Sequence, residues 1–252
     1  MNDKPLVLVT RVGPSGRHLA DSVESLGLPA FHAELYRLEA LDNMDKVSVA
    51  VSRALPADLL VLTSQEGVRQ ARALAIGDQL IRLPTVVPGP GTASVAREAG
   101  FSCVFAPEND GNSEAMLALE ALTEVSDKRV LILAACHGRR LVDQVLRQRG
   151  ARVQRIDVYR RTPLPDQTGL VNQIQTARQL VTLIASDGAL QLLHEHLDPA
   201  LWSKLVDGKV VVPSERIADN ARRLGCDNVV VADGADNHAM LDALGVLTTS
   251  CS

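Results

Sequence analysis

The sequence predicts an α/β fold of two parallel-sheet domains joined by a two-stranded connector, produced by an internal duplication. Three observations carry this. Short Val, Ile and Leu runs alternate with amphipathic stretches along the whole chain, the pattern of parallel βα units whose strands are covered on both faces. Several amphipathic stretches end in glycine, at Gly27, Gly100, Gly150 and Gly225, the residue that supplies a left-handed helix C-cap. Finally, segments recur in the same order at a spacing set by Tyr36 and Tyr159, which lie 123 residues apart.

Taken in order, Leu6–Thr10 is an apolar run fit for a central strand, and the helix behind it closes at Ser25-Leu26-Gly27. Ala30–Glu34 is the next strand. Glu34-Leu35-Tyr36-Arg37 is extended and β-prone but is followed by the breakers Asp42-Asn43, so residues 36–40 read as a linker. Leu59–Thr63, Thr85–Val87 and Cys103–Ala106 are strands, with a helix between the last two that closes at Gly100. Val130–Ala134 and Val153–Val158 follow, separated by a helix closing at Gly150. Asp157-Val158-Tyr159-Arg160 then runs into Thr162-Pro163-Leu164-Pro165, and residues 156–164 read as a second linker. Leu180–Ala185, Lys209–Val212 and Asn228–Val231 complete the strands, with a helix closing at Gly225.

The repeat is ordered. Gly27 answers to Gly150, Thr63-Ser64 to Ala185-Ser186, Val87-Pro88-Gly89 to Val212-Pro213-Ser214, and Ala115-Met116-Leu117 to Ala239-Met240-Leu241. One such pair could arise by chance; several in one order argue for duplication. If both Tyr-Arg segments are linkers, the chain leaves a first domain, builds a second and returns. Domain A is then residues 1–35 and 165–252, domain B is 41–155, and the connector is 36–40 with 156–164. A cleft between domains so joined is a common ligand site.

Composition narrows the partners. The 252 residues are 46% hydrophobic, ample for two cores, and 26 basic against 30 acidic residues leave a net charge of −4. No global positive field recruits nucleic acid or an acidic membrane. Two Tyr, three Phe and one Trp are too few for a base-stacking surface. No apolar run approaches the roughly 20 residues that span a bilayer, and Met1-Asn2-Asp3-Lys4-Pro5 does not resemble a signal peptide. Cys103, Cys136, Cys226 and Cys251 are widely spaced, which suits neither a disulfide framework nor a cysteine zinc site. A cytoplasmic, reduced protein is expected.

The loop Pro88-Gly89-Pro90-Gly91-Thr92-Ala93 follows a strand and opens a helix. Its glycines allow close backbone approach and the helix start offers unpaired N–H groups to an anion; the bland alternative is a tight turn with Thr92 near the cap. As a dinucleotide fingerprint it is incomplete, lacking the third glycine. Thr10, Ser64 and Ser186 stand at carboxyl ends of strands, where open α/β sheets bind ligands, although capping the next helix is the commoner use of such hydroxyls. Arg11 and Arg139 follow strands in the same way and could fork onto carboxylates or be solvated. Neither a Walker loop, a His-Glu-x-x-His motif nor a complete nucleophile elbow occurs, and His194 and His196 are two apart, a poor metal pair on a helix. Tyr36 and Tyr159 are the only tyrosines. Interface packing is expected for Tyr36, whereas Tyr159 could present its phenol to a cleft as donor or proton carrier.

The ordered set Leu8-Val9-Thr10-Arg11, Leu62-Thr63-Ser64, Val87 through Ala93, Gly138-Arg139, Val158-Tyr159-Arg160 and Pro213-Ser214-Glu215-Arg216-Ile217-Ala218 resembles the uroporphyrinogen-III synthase family over nearly the whole chain. The resemblance implies two α/β domains on a two-stranded connector and a lyase that closes hydroxymethylbilane with loss of water and inversion of the terminal pyrrole. It implies Tyr159 as the catalytic side chain and Ser64, Gly91, Thr92, Ser186, Ser214 and Ile217 around the substrate, with backbone N–H groups holding carboxylates; Thr10, Arg11, Gly89 and Arg139 join them by their places at strand ends and in the glycine-rich loop. Neither a cofactor nor a metal is expected. A monomer is, with a transient contact to hydroxymethylbilane synthase. Many relatives carry an Arg-Gly pair where this chain has Ala134-Ala135-Cys136-His137, so a cationic role there falls to Arg139. The rival readings are a non-catalytic two-domain binding protein for a small anionic ligand, and a nucleotide-dependent transferase using Gly89–Ser94.

Overall fold

A computed structural model describes residues 4–108 and 112–245; of the residues weighed above, Met1-Asn2-Asp3 and Cys251 lie outside them. The chain divides into two units, one of Met1–Arg37 with Pro163–Ser252 and one of Leu38–Thr162. It begins with β1 (Leu6–Val9), α1 (Gly13–Ser25) and β2 (Ala30–His32), then β3 (Tyr36–Ala40). The second unit continues through α2 (Met44–Arg53), β4 (Leu59–Leu62), α3 (Gln65–Ala73), α4 (Gly77–Leu80), β5 (Thr85–Val86), α5 (Pro90–Glu98), β6 (Val104–Phe105), α6 (Ser113–Ala118), α7 (Glu120–Thr123), β7 (Arg129–Ala135), α8 (Leu141–Gln148) and β8 (Arg152–Pro163). The first unit resumes with α9 (Thr168–Thr176), β9 (Leu180–Leu183), α10 (Asp187–His196), α11 (Pro199–Val206), β10 (Lys209–Val212), α12 (Glu215–Arg223), β11 (Val229–Val231) and α13 (Asn237–Gly245).

Continuous apolar runs become parallel strands because both faces are covered. In β4 all four residues are buried. Leu60 and Leu62 join one cluster with Leu131 and Leu133 of β7, while Leu59 and Val61 join another with Val130 and Ile132. Alternation along each strand thus feeds two helical layers. In the first unit Val7, Val9, Val181, Leu183 and Val211 pack with Leu19 and Val23 of α1 and Met240 and Leu244 of α13.

The first sheet has the order β11-β10-β9-β1-β2 and the second β3-β8-β7-β4-β5-β6. All four pairings of the first sheet are parallel, as are those joining β8 through β6 in the second. Under the sequence repeat β1 answers to β7, β2 to β8, β9 to β4, β10 to β5 and β11 to β6, and the spatial order is then the same in both sheets. The four helix-closing glycines all take positive φ, as a left-handed cap requires.

Most strands end one or two residues inside their predicted bounds. β8 is longer than the predicted strand Val153–Val158: residues 156–163, read as one half of the two-stranded connector, continue the sheet strand that begins at Arg152. The register there shifts, with Ala134 opposite Asp157 but Ala135 opposite Tyr159. Such a bulge places two consecutive residues on one face. Val158 and Tyr159 accordingly both enter the cluster containing Leu60, Leu62 and Leu133, an orientation that strict alternation forbids.

Free thiols at Cys103, Cys136 and Cys226 differ sharply. Cys226 is fully buried, and burial pushes its ionisation up to about 11, so almost none of it is nucleophilic thiolate near neutrality. Iodoacetamide at pH 8 is expected to label exposed Cys103 in the native protein and Cys226 only after unfolding. Peptide mapping by mass spectrometry reads this directly, and native labelling of Cys226 at the rate of Cys103 would contradict the buried site.

Candidate active site

In the second unit, the carboxyl end of β4 delivers Thr63-Ser64 to the start of α3. Ser64 has extended backbone angles and caps the helix, its Oγ accepting from Gly67 N at 3.0 Å. The same Oγ lies 2.8 Å from the Tyr159 phenol oxygen. The bulge in β8 turns the phenol to this place, and Tyr159 is 3% exposed. Gln65, next to the cap, donates to Gly91 O at 3.3 Å, which ties the start of α3 to the glycine-rich loop. Ser64 and Tyr159 are therefore in contact, and Gly91 is joined to the same helix start through Gln65. Gln65 was not singled out by sequence, since a glutamine at a helix start carries no distinctive signal.

The glycine-rich loop opens α5 with Pro90 in its first turn and Gly89 as cap residue in extended conformation. Gly89 O accepts from both Thr92 N at 3.1 Å and Ala93 N at 3.0 Å. This corrects one expectation: the Thr92 N–H is spent inside the turn, and its side chain is buried at 8% exposure. Pro90 has no N–H. Gly91 N–H is what remains among the first-turn donors for an anion.

Arg139 departs from the expected free cation, because Glu114 binds its guanidinium in bidentate fashion at 2.6 and 2.9 Å. The loop that carries it, between β7 and α8, is held by a residue the sequence reading missed. Arg155, its side chain 5% exposed, donates to Ala135 O at 2.9 Å, to Arg139 O at 3.2 Å and to Asp157 at 3.3 Å. Within that loop His137 adopts a positive φ of 56°, and burial with the nearby Asp157 carboxylate pushes the Cys136 thiol up. Arg160, further along β8, forks onto Asp42 with two 2.8 Å bonds, and these hold the Asp42 carboxyl below its usual range.

In the first unit, Thr10 closes the end of β1 onto β9. Its hydroxyl donates to Leu183 O at 2.9 Å and accepts from Ala185 N at 3.0 Å, and the residue is 1% exposed. Thr10 therefore shapes the sheet edge instead of offering a hydroxyl to ligand. Arg11 turns inward as well: its Nη2 donates to Ala235 O, and burial lowers its proton affinity, opposed chiefly by the Asp236 carboxylate. Its backbone carbonyl accepts from His32 Nε2 at 2.6 Å.

Ser186 repeats the role of Ser64 as a cap, accepting from Ala189 N at 3.2 Å at the start of α10. Ser214 is the cap residue of α12 but makes no side-chain cap bond, so its hydroxyl, unlike that of Ser186, is uncommitted to the helix. Ile217 is 4% exposed and its N–H donates to Ser214 O at 3.1 Å, so that N–H is engaged within the first turn of α12. Asp187 joins the two helix starts, receiving Asn220 Nδ2 at 2.6 Å and approaching Arg216 at 3.5 Å. Each unit thus gathers its hydroxyls at the carboxyl ends of parallel strands, the edge used by ligand sites in open α/β sheets. Among the described residues, no three His, Cys, Asp or Glu side chains group as a metal site would require, and no helix is long and apolar enough to cross a membrane.

Comparison with known proteins covers the same span. The family model described as "Uroporphyrinogen-III synthase HemD" matches residues 17–242. A uroporphyrinogen-III synthase of Escherichia coli K12 is 29% identical over 243 residues, 94% of this chain and 99% of that protein. Its counterpart in Salmonella typhimurium LT2 is 30% identical over 246 residues, with 94% and 99% covered. Among solved structures, a mutant uroporphyrinogen III synthase from the extremely thermophilic bacterium Thermus thermophilus aligns with a TM-score of 0.65 at 20% identity over 98% of this chain and 99% of that one. The Helicobacter pylori uroporphyrinogen-III synthetase gives 0.64 at 14% identity over 97% and 99%; both likenesses concern the fold. With the model matched from α1 into α13 and relatives aligned nearly end to end, this chain belongs to the uroporphyrinogen-III synthase family.

Proposed function

We infer that this chain acts as a uroporphyrinogen-III synthase of heme biosynthesis, a lyase that closes hydroxymethylbilane with loss of water and inversion of the terminal pyrrole. The observation that carries this reading is a buried phenol paired with a serine hydroxyl at 2.8 Å, on the ligand-binding edge of a sheet, in a chain of this family. Pyrrole nitrogen lone pairs push out the terminal hydroxyl. The C–O bond breaks with its electron pair on oxygen, and Tyr159 supplies the proton with which that oxygen leaves as water. The methylene cation left on the first pyrrole can be attacked by the free or by the substituted carbon of the last pyrrole. Attack by the free carbon happens unaided and gives the uninverted isomer, so the enzyme's work is orientation. A site with one phenol and few acids or bases suits that work.

In the second unit Gly91 N–H, beside Gly89 and Thr92, is the donor for a substrate carboxylate; the first unit, taken by itself, offers orphan N–H groups that favour negative charge at the helix starts at Ser186 and Ser214. Arg139 contributes only if Glu114 releases it. Thr10, Arg11 and Ile217 fix the loops instead of touching substrate. Under this reading the protein works as a cytoplasmic monomer without cofactor, meeting hydroxymethylbilane synthase in passing. Hydroxymethylbilane supplied to the purified chain is expected to yield uroporphyrinogen III. Chromatography of the oxidised products distinguishes it from isomer I, and isomer I alone, at the rate of the enzyme-free control, would refute the function.

A further inference from the structure

We propose that Ser64 is a positioning residue that acts through Tyr159, fixing the direction of the phenol's hydrogen bond so that its proton is aimed at the departing hydroxyl. The proposal rests on the reading of Tyr159 as the proton donor. A serine hydroxyl has one proton and two acceptor sites. Gly67 N, a donor only, takes one acceptor site of Ser64 Oγ at 3.0 Å. What remains toward Tyr159, at 2.8 Å, is one proton and one lone pair, so either oxygen can donate in the resting state. The two arrangements differ once the reaction begins. When Tyr159 gives its proton away, negative charge develops on the phenol oxygen, and Ser64 can then only donate to it. That bond becomes charge-assisted and strengthens at the moment of proton transfer.

The position of the pair reinforces this. Gly67 N–H belongs to the first turn of α3 (Gln65–Ala73), whose partial positive end favours charge arriving at its cap. Glu66 sits in the same turn, but its carboxylate is occupied by Gln70 Nε2 at 2.7 Å and Arg69 at 3.3 Å, which damps its opposition. The chain from Gly67 N–H through Ser64 to Tyr159 is therefore a short relay of aligned dipoles pointing at the phenol. Tyr159 reaches it only because of the register shift opposite Ala134 and Ala135, so the bulge and the serine form one device.

A double-mutant cycle in turnover tests the proposal. Ser64→Ala is expected to lower kcat roughly 10- to 100-fold, the range for a hydrogen bond to a charged group, with KM little changed. Ser64→Thr, which keeps the hydroxyl, should restore most of the rate. In the Tyr159→Phe background Ser64→Ala should cost less than about twofold, because its effect passes through the missing phenol. Asp198→Ala, which removes the cap of α11 (Ala200 N at 2.9 Å, Leu201 N at 3.0 Å), controls for cap loss and should leave kcat unchanged. An equal loss from Ser64→Ala in both backgrounds would overturn the proposal while leaving Tyr159 in the mechanism; full activity of Tyr159→Phe would instead remove the reading on which it rests.

Discussion

Tyr159→Phe lowers formation of uroporphyrinogen III by about 10²–10⁴-fold, the usual worth of a positioned general acid, and leaves the protein folded. The phenol oxygen is the only atom removed, from a side chain that otherwise packs with Leu60, Leu62, Leu133 and Val158. The change in stability is that of one buried hydrogen bond, about 1 kcal/mol, since Ser64 keeps its bond from Gly67 N. Because hydroxymethylbilane also closes unaided, the loss is read as a shift of product from isomer III to isomer I. Tyr36→Phe serves as comparison: it is also buried, at 7% exposure, but belongs with the first unit and is expected to leave the isomer ratio alone. Isomer ratio and thermal midpoint measured for both variants decide the matter, and a Tyr159→Phe protein that makes isomer III at the parent rate would sink the assignment.

Gly16→Ala is the substitution expected to cost most in stability. Helix propensity alone favours it, because alanine in the interior of α1 should gain about 0.5–1 kcal/mol over glycine. Contact reverses the sign. A Cβ on Gly16 would stand 1.7 Å from Arg11 O and 2.5 Å from His32 Nε2, the two atoms whose 2.6 Å hydrogen bond ties the β1–α1 loop to β2. Backbone cannot swing aside as a long side chain can, so either the bond or the helix start must give. About 3 kcal/mol or more follows from overpacking of this severity, a fall in Tm of roughly 6–12 °C for a chain of this size. Calorimetry checks it, and an unchanged or raised midpoint would show that the loop relaxes at no cost. Gly67 offers the contrast: there a Cβ meets Ser64 Oγ at 3.4 Å, an ordinary contact.

Local pattern made most of the framework legible. Val210-Val211-Val212 and Leu59 through Leu62 announce parallel strands because both faces are buried, and Ser64 and Ser186 lie at cap positions because a hydroxyl before a helix satisfies an orphan N–H. The opacity begins where partners are distant in sequence. Ser64 meets Tyr159 across 95 residues, Arg139 meets Glu114 across 25, and Arg155 gathers carbonyls 16 and 20 residues away. None of these pairings leaves a periodic trace. The bulge in β8 is harder still: a single extra residue changes which side chains face inward, and nothing in Asp157-Val158-Tyr159 marks it. The glycine-rich loop misled for a different reason. Its composition advertises free N–H groups, yet the turn it makes consumes those of Thr92 and Ala93 on Gly89 O.

The order of the first sheet has a consequence for how the chain is made. β1 sits between β2 and β9, pairing Leu6 with Leu180 and Leu8 with Thr182. On a ribosome adding about 5–20 residues per second, roughly 10–30 s separate the emergence of β1 from that of β9. During that interval one hydrogen-bonding edge of a wholly apolar strand, Leu-Val-Leu-Val, has no native neighbour. The second unit, contiguous from Leu38 to Thr162, can complete its sheet in the meantime. A nascent chain stalled near residue 200, with 38–162 clear of the exit tunnel and β9 still inside it, should therefore show protease resistance across 38–162 while residues 4–35 are cleaved, and the early apolar segment is where a trigger-type chaperone would be most needed.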